Sequence, residues 1–381
     1  MLPDRALGWA RTVYFCYYAA WAALLPFLPL YYASLAFPAS RIGLLNAIPP
    51  LATLVAAPLW AGLADATGRH RQVLLGALAG AGLAALALWW ARSFGVLVAL
   101  VVAYAICAAP IIPLVDSGVL ALLGARRERY GRQRVWGAVG WGVSAPLVGW
   151  LAERGGLAWP FAAYVALVAA TALAASRLPL HPGRAGGSYW HGARRLLTDR
   201  RASLFLAAVF LAGIGQAALN FYLFLTLEAL GAARSTMGLA LSVATLSELP
   251  VLLWAGGFVR RWGPRGVLML SMGAYVVRAL GISLATAPWQ VLPLQLFHGL
   301  TFSAMWVAGV TLAADIAPPG LEATAQGLFS STLMGVGGTV GALVNGLLFE
   351  RLGGAGMFRA NAALVGMGLA LLVWGVLAER R

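Results

Sequence analysis

Apolar stretches of about twenty residues or more recur along the whole chain, separated by short segments that carry nearly all of its arginines. This pattern constrains the fold more than any other feature. A helix needs about 20 apolar residues to cross the ~30 Å hydrocarbon core of a bilayer. Within that core every backbone polar group must be satisfied inside its own segment, which favours helices. The apolar share of the 381 residues is 61%, against about 45–50% in ordinary globular domains. Charged residues make up 10%, where about 25% is usual. A water-soluble fold of this length has no way to hide that much apolar surface, so the excess faces lipid.

Read on that length rule, the chain has twelve spans, near 10–33, 41–64, 72–91, 94–123, 134–152, 157–176, 202–230, 236–259, 265–286, 289–314, 323–349 and 355–378. The first span is long enough to remain as a membrane helix instead of being cleaved as a signal. The longest polar stretch, 177–201, holds Pro179, Pro182, Gly183, Gly186 and Gly187 and reads as a cytoplasmic linker. The expected organisation is therefore an all-α membrane protein of two six-helix halves, 1–176 and 202–381. With the N-terminus in the cytoplasm, twenty of the 27 basic residues, all arginine, fall on the cytoplasmic side. That bias follows the positive-inside rule, places both termini inside and points to the inner membrane of a bacterium. The formal net charge of +15 suggests nucleic acid at first sight. The arginines lie in loops between apolar spans, so no nucleic-acid partner is expected. Cys16 and Cys107 both lie inside spans, which leaves no cluster for a metal site and no sign of a cofactor.

The halves repeat one another. Gly140, Ala145, Glu153, Arg154 and Gly156 recur 197 residues later as Gly337, Ala342, Glu350, Arg351 and Gly353. The loop Gly62-Leu63-Ala64-Asp65-Ala66-Thr67-Gly68-Arg69-His70-Arg71 recurs in degraded form as Gly257-Phe258-Val259-Arg260-Arg261-Trp262-Gly263-Pro264-Arg265. Tandem halves related by a pseudo-two-fold axis along the membrane normal are a secondary-transporter plan.

The Gly62–Arg71 loop resembles the signature after the second helix of major facilitator transporters. Gly62 and Gly68 allow close helix approach and a tight turn. Asp65 pairs with basic groups, and Arg69 and Arg71 complete a charged latch that biases one access state over another. The strings Pro113-Leu114-Val115-Asp116-Ser117, Tyr130-Gly131-Arg132-Gln133-Arg134-Val135-Trp136-Gly137, Ser247-Glu248-Leu249-Pro250 and Gln295-Leu296-Phe297-His298-Gly299-Leu300-Thr301-Phe302 narrow the resemblance. They look like the phenylpropionate permease group, itself similar to lactose permease and the nucleoside–proton symporters. The resemblance covers nearly the whole chain. It implies a transporter and not an enzyme, working as a monomer on a small-molecule substrate, an aromatic carboxylate first and a nucleoside or sugar next.

Ionisable groups inside a bilayer cost at least a few kcal/mol unless paired, so each is a candidate for function. At 1.5 Å per residue, Glu248, Arg278 and His298 lie about 18, 12 and 14 Å below the outer ends of spans eight, nine and ten, near one depth. A carboxylate, a guanidinium and an imidazole at one level suit proton coupling. Lactose permease is similar, with an acid, an arginine and a histidine on helices eight, nine and ten. Its second carboxylate, one turn after the histidine, is replaced here by Thr301. Asp116 in span four is the other candidate proton or substrate group; the bland alternative for it is a pairing with Arg134. For the trio, the bland alternative is a static buried ion pair.

Arg278 is also a candidate to hold a substrate carboxylate. Tyr14, Tyr17, Tyr18 and Trp21 fall at helical spacing in span one and offer an aromatic wall. Asn46 and Trp136 complete the candidate substrate-binding set, although a tryptophan at a membrane boundary is ordinary. One string, Ala145-Pro146-Leu147-Val148-Gly149, partly matches the Gly-Pro signature of antiporters and supports proton-driven efflux as the alternative to uptake.

Overall fold

The computed structural model of the protein describes residues 2–179, 194 and 196–379. Much of the expected linker, 180–193 and 195, lies outside the described residues. Among them there is no strand, and ten helical runs are long and apolar enough to span a membrane. They are α1 Ala6–Ser34, α2 Ala39–Thr67, α3 His70–Trp90, α4 Phe94–Leu123, α5 Tyr130–Gly155, α6 Ala158–Ala175, α7 Arg200–Ala229, α8 Arg234–Leu284, α9 Pro288–Ile316 and α10 Glu322–Gly375. Two of these runs are far longer than a bilayer needs. α8 has 51 residues and α10 has 54, about 80 Å each at 1.5 Å per residue. Each holds one glycine with non-helical backbone, Gly263 (φ 69°, ψ 161°) in α8 and Gly353 (φ 66°, ψ −178°) in α10. Positive φ at low cost is a property of glycine, so each run turns at that residue.

The residues group into two compact units, neither of them one continuous stretch of chain. The first holds Met1–Ala36, Ile48–Ala185 and Ala233–Ser242; the second holds Phe37–Ala47, Gly186–Ala232 and Val243–Arg381. In the first unit α1 is the most enclosed helix, with 72% of its apolar window buried, and in the second unit α7 has the same share. The remaining spans bury 33–56%, which leaves their outer faces for lipid.

Small residues let the enclosed helices approach their neighbours. In the first unit, a Cβ added to Gly140 of α5 would collide with the carbonyl oxygen of Phe15 in α1, and Ser144 donates from Oγ to the carbonyl of Ala19 at 2.8 Å. In the second unit, a Cβ on Gly337 of α10 would sit 3.0 Å from Cα of Gly213 and 3.3 Å from the carbonyl of Phe210, both in α7. Without a hydrophobic force between helices in lipid, such close backbone contact is a main source of association.

Two helix starts are held in the same way, one in each unit. In the second unit, the N–H of Ser40 donates to Oε2 of Glu350 at 2.9 Å. One turn on, a Cβ at Gly43 would lie 2.6 Å from the carbonyl of Ala342, which already accepts from the Tyr222 hydroxyl at 2.8 Å. In the first unit, the N–H of Ser235 donates to Oε2 of Glu153 at 3.2 Å, and Gly238 packs on the carbonyl of Ala145. Each glutamate caps the unsatisfied N–H groups of a helix start that is remote in sequence.

Candidate functional site

In the second unit, α8 and α9 are locked together beside Glu248. Gly299 leaves no room for a side chain against the carbonyl of Ser247, and its N–H donates to the Ser247 hydroxyl at 2.9 Å. The backbone of α9 then changes its winding. Pro288–Leu294 is α-helical, Gln295–Phe297 is a 3-10 turn, Gly299–Ala304 is a π turn, and Met305–Ile316 is α-helical again. Pro293 has no N–H to give to the ladder, which favours a local change of this kind. A 3-10 turn brings side chains three apart into line, which aligns Gln295 with His298; these two and Thr301, in the π turn, all meet one partner.

That partner is Arg278, on the arm of α8 beyond Gly263, with 1% of its surface exposed. Its Nη1 donates to Thr301 Oγ1 at 2.9 Å and lies 3.1 Å from His298 Nδ1; its Nη2 donates to Gln295 Oε1 at 2.5 Å. Its Nε is buried without a partner. The other ring nitrogen of His298, Nε2, lies 3.3 Å from Oε1 of Glu248, and Oε2 of Glu248 accepts from the Ser303 hydroxyl at 3.0 Å. The imidazole is thus a bridge between carboxylate and guanidinium, and it stacks on Phe302 with ring centroids 5.5 Å apart. Glu248 and His298 keep 21% and 18% exposure, so the acid end of this chain is open to a proton while the arginine end is sealed. A buried guanidinium is costly without a countercharge, and Glu248 supplies one through the imidazole.

The first unit carries a second polar cluster where α1, α4 and α5 meet. The Tyr14 hydroxyl donates to Oδ1 of Asp116 at 2.6 Å, and Tyr130 stands against both groups. Arg134 donates to the Tyr18 hydroxyl, and its guanidinium carbon lies 4.2 Å above the centre of that ring. Asp116 therefore meets a tyrosine directly and feels Arg134 through space. Trp21 packs between Tyr17 and Tyr18 with centroids 5.3 and 5.4 Å away. Tyr14 and Tyr17 are fully buried, whereas Tyr18 and Trp21 are partly open. Trp136 is 41% exposed, and its neighbour Gly137 is the residue against the Tyr18 ring.

Asn46 groups with the second unit, is 6% exposed and has a buried Nδ2 with no partner. Gln216 of α7, in the same unit, donates from Nε2 to Oδ1 of Asn220 at 3.2 Å and also keeps a buried Oε1 without a partner. Sequence reasoning passed over Gln216, Asn220, Gln295 and Ser303. Polar side chains mid-span were the available signal, since lipid-exposed amides are rare there.

At the Gly62–Arg71 loop, Oδ1 of Asp65 meets Nε2 of His70 at 2.8 Å. Gly68 has φ +65°, the turn conformation for which glycine is suited. Gly62, Arg69 and Arg71 are exposed. Among the described residues, no group of three or more His, Cys, Asp and Glu side chains is arranged to hold a metal ion.

The profile of the MFS_1 like family matches residues 8–360. The chain belongs to that family, within the major facilitator superfamily. It is accordingly a multi-pass membrane transporter of small molecules and not an enzyme. A maltose permease of Geobacillus stearothermophilus is 32% identical over 365 residues, covering 94% of this chain and 92% of the permease. A probable 3-phenylpropionic acid transporter of Escherichia coli K12 is 26% identical over 366 residues, covering 92% and 93%. The crystal structure of the nucleoside transporter NupG superposes with a TM-score of 0.85 at 17% identity, over 99% of each chain. At that identity the likeness speaks for the fold alone.

Proposed function

We propose that the protein is a proton-coupled uptake symporter for a small neutral polyhydroxylated solute of the sugar class. The observation that carries this reading is the chain Ser303–Glu248–His298–Arg278, whose carboxylate is partly open and whose guanidinium is sealed. A proton arriving at Glu248 removes the countercharge that the imidazole relays to Arg278. The three helical segments that meet there then favour a different packing, which links protonation to alternating access. Asp116, held by Tyr14, is the second proton-binding group in this reading.

A neutral substrate fits the surroundings of Arg278. Both terminal nitrogens are engaged and 1% of the residue is exposed, so a substrate carboxylate has no ready access. Asn46, Gln216 and Asn220, all in the second unit, offer amide donors and acceptors suited to hydroxyls. The 32% identity to a maltose permease supports the same class. A second reading is uptake of an aromatic carboxylate such as 3-phenylpropionate. The orphaned Nε of Arg278 favours it, as does the relative whose name carries that acid. Proton-driven efflux is the remaining alternative.

In this reading the chain has twelve spans, because α8 and α10 each divide at a glycine, Gly263 and Gly353. It works as a monomer in the bacterial inner membrane with both termini cytoplasmic, as the distribution of arginine favours.

The test is accumulation of radiolabelled maltose and of radiolabelled 3-phenylpropionate in proteoliposomes, with and without an inward proton gradient. It is run on the wild type and on Glu248→Gln. Gradient-driven maltose uptake that is lost in the variant is the expected result. Driven uptake of the acid alone moves the assignment to the aromatic carboxylate. Driven uptake that survives Glu248→Gln removes Glu248 as the proton carrier.

A further inference from the structure

The arm of α8 that carries Arg278 also reaches α7. Ser271, Tyr275 and Arg278 fall at i, i+4 and i+7 on that arm and share one helix face. All three are buried, with at most 1% of the surface exposed. Two of them meet α9 at a single residue. Ser271 donates from Oγ to the Thr301 carbonyl at 3.4 Å, and Arg278 donates to the Thr301 hydroxyl. Tyr275, between them, turns to α7, where its hydroxyl donates to the carbonyl of Gly215 at 2.5 Å.

Gly215 is a socket for that ring. A Cβ there would stand 2.7 Å from Cζ of Tyr275 and 2.6 Å from Cγ2 of Val365, so a larger residue pushes the phenol off the helix. The preceding carbonyl, that of Ile214, accepts from Nδ2 of Asn345 at 2.9 Å, and Oδ1 of Asn345 accepts from Nδ2 of Asn361 at 2.5 Å. A helix carbonyl keeps a second lone pair beyond its intrahelical bond. Here two consecutive carbonyls of α7 give theirs to side chains of other segments. Those ties fix the rotation of α7 about its axis, and with it the direction of the next residue, Gln216, which holds Asn220. The two ties lead to different places. The asparagine tie ends on the carbonyl of Met357 and includes no ionisable group. The tyrosine tie leads one turn along the arm to Arg278, close enough for the two side chains to interact.

We infer that Tyr275 is a positioning residue of the transport cycle, an inference that rests on the proton-coupled reading of Glu248. Tyr275 makes α7 follow the arm of Arg278. A proton on Glu248 frees that arm, the phenol carries the displacement to Gly215, and the amides of Gln216 and Asn220 move with it. Without the hydroxyl, α7 turns independently of the arm. Solute then still crosses, but the proton no longer drives it.

The experiment uses the full chain in proteoliposomes, with radiolabelled maltose or 3-phenylpropionate, whichever the wild type transports. Two quantities are measured: accumulation under an inward proton gradient, and exchange at equal pH and equal solute concentration on both sides. Exchange needs alternating access but no net proton movement. Their ratio is internal to one preparation, so a loss of folded protein lowers both quantities together. Tyr275→Phe keeps the ring and removes the hydroxyl. Exchange is expected to persist, while the ratio of accumulation to exchange falls about 2- to 12-fold, the population shift given by one net hydrogen bond. Gly215→Ala, which fills the socket, is expected to lower the same ratio. Tyr222→Phe is the control. It removes a buried hydroxyl bond from α7 to the carbonyl of Ala342 that does not involve the arm, and is expected to keep the wild-type ratio. A wild-type ratio in Tyr275→Phe overturns the inference and leaves the symport reading standing. An equal fall in Tyr275→Phe and Tyr222→Phe also overturns it, because any lost contact of α7 would then suffice. A wild type that exchanges solute without accumulating it refutes the symport reading, and the role of Tyr275 with it.

Discussion

Replacing Gly140 by alanine adds one methyl group at the closest approach of α1 and α5. The new Cβ would lie inside contact distance of the Phe15 carbonyl oxygen, and 2.9 and 3.0 Å from its carbonyl carbon and Cα. These are backbone atoms and cannot turn aside as a side chain can, so the helices must separate by roughly an ångström. A radial gap of that size forfeits about a quarter to a half of each dispersion contact along the interface, and overpacking of this kind costs about 1–3 kcal/mol. Alanine also removes the entropic penalty of glycine inside a helix, which returns up to about 1 kcal/mol. The net expectation is a loss of about 1–2 kcal/mol. Gly76 in α3 is the control, because nothing lies within 4 Å of a Cβ placed there. The same substitution at Gly76 keeps the propensity gain and is expected to stabilise by up to about 1 kcal/mol. At about 2 °C per kcal/mol for a chain of this size, the two variants should differ in melting temperature by roughly 2–6 °C. Thermal unfolding in one detergent, followed by size-exclusion chromatography of the surviving folded protein, measures this. A Gly140→Ala protein as stable as Gly76→Ala would falsify the account of how α1 and α5 pack.

Three further outcomes are expected. Tyr14→Phe removes a 2.6 Å hydrogen bond to a carboxylate, and bonds to charged groups contribute about 1.5–3 kcal/mol; the variant should melt several degrees lower, and an unchanged melting point would show that Asp116 finds another donor. Arg278→Lys keeps a cation but loses the planar fork that reaches both Gln295 and Thr301. The protein should still fold, while gradient-driven uptake drops at least about tenfold; full uptake would separate the guanidinium from coupling. Trp21→Ala removes a ring that packs on Tyr17 and Tyr18. If that ring meets substrate, the loss of about 0.5–1.5 kcal/mol should raise KM by about 2- to 12-fold with little change in kcat; an unchanged KM would leave Trp21 as packing alone.

Much of the candidate site was legible in the sequence. Glu248, Arg278 and His298 each stand out because an ionisable group in an apolar span is costly, and 1.5 Å per residue puts them near one depth. The order of the contacts was not legible. An even α-helix would carry Gln295, His298 and Thr301 progressively around the axis of α9; the 3-10 turn at Gln295–Phe297 brings Gln295 and His298 into line, and the π turn from Gly299 carries Thr301. The position of Thr301, read in sequence as a missing carboxylate, turns out to hold a hydroxyl that accepts from the arginine. Gly137 is a further contact that sequence does not display: only the rotation of α5 decides that it faces Tyr18.

The repeats divide in the same way. Gly140 and Gly337, paired by spacing alone, both sit where a helix backbone presses on its neighbour. Ser40 and Gly43 recur as Ser235 and Gly238, 195 residues on, a likeness too short to weigh until the serines are seen on Glu350 and Glu153 and the glycines on the carbonyls of Ala342 and Ala145. By itself the sequence determined a helical membrane chain, its polar outliers and its superfamily. Those follow from local quantities, namely apolar length, charge placement and motif chemistry, which a linear chain displays directly. Tertiary structure alone decided which polar groups touch, since each contact depends on where a helix winds tightly, turns at a glycine or rotates by one residue. Those choices are made by packing against segments up to 310 residues away.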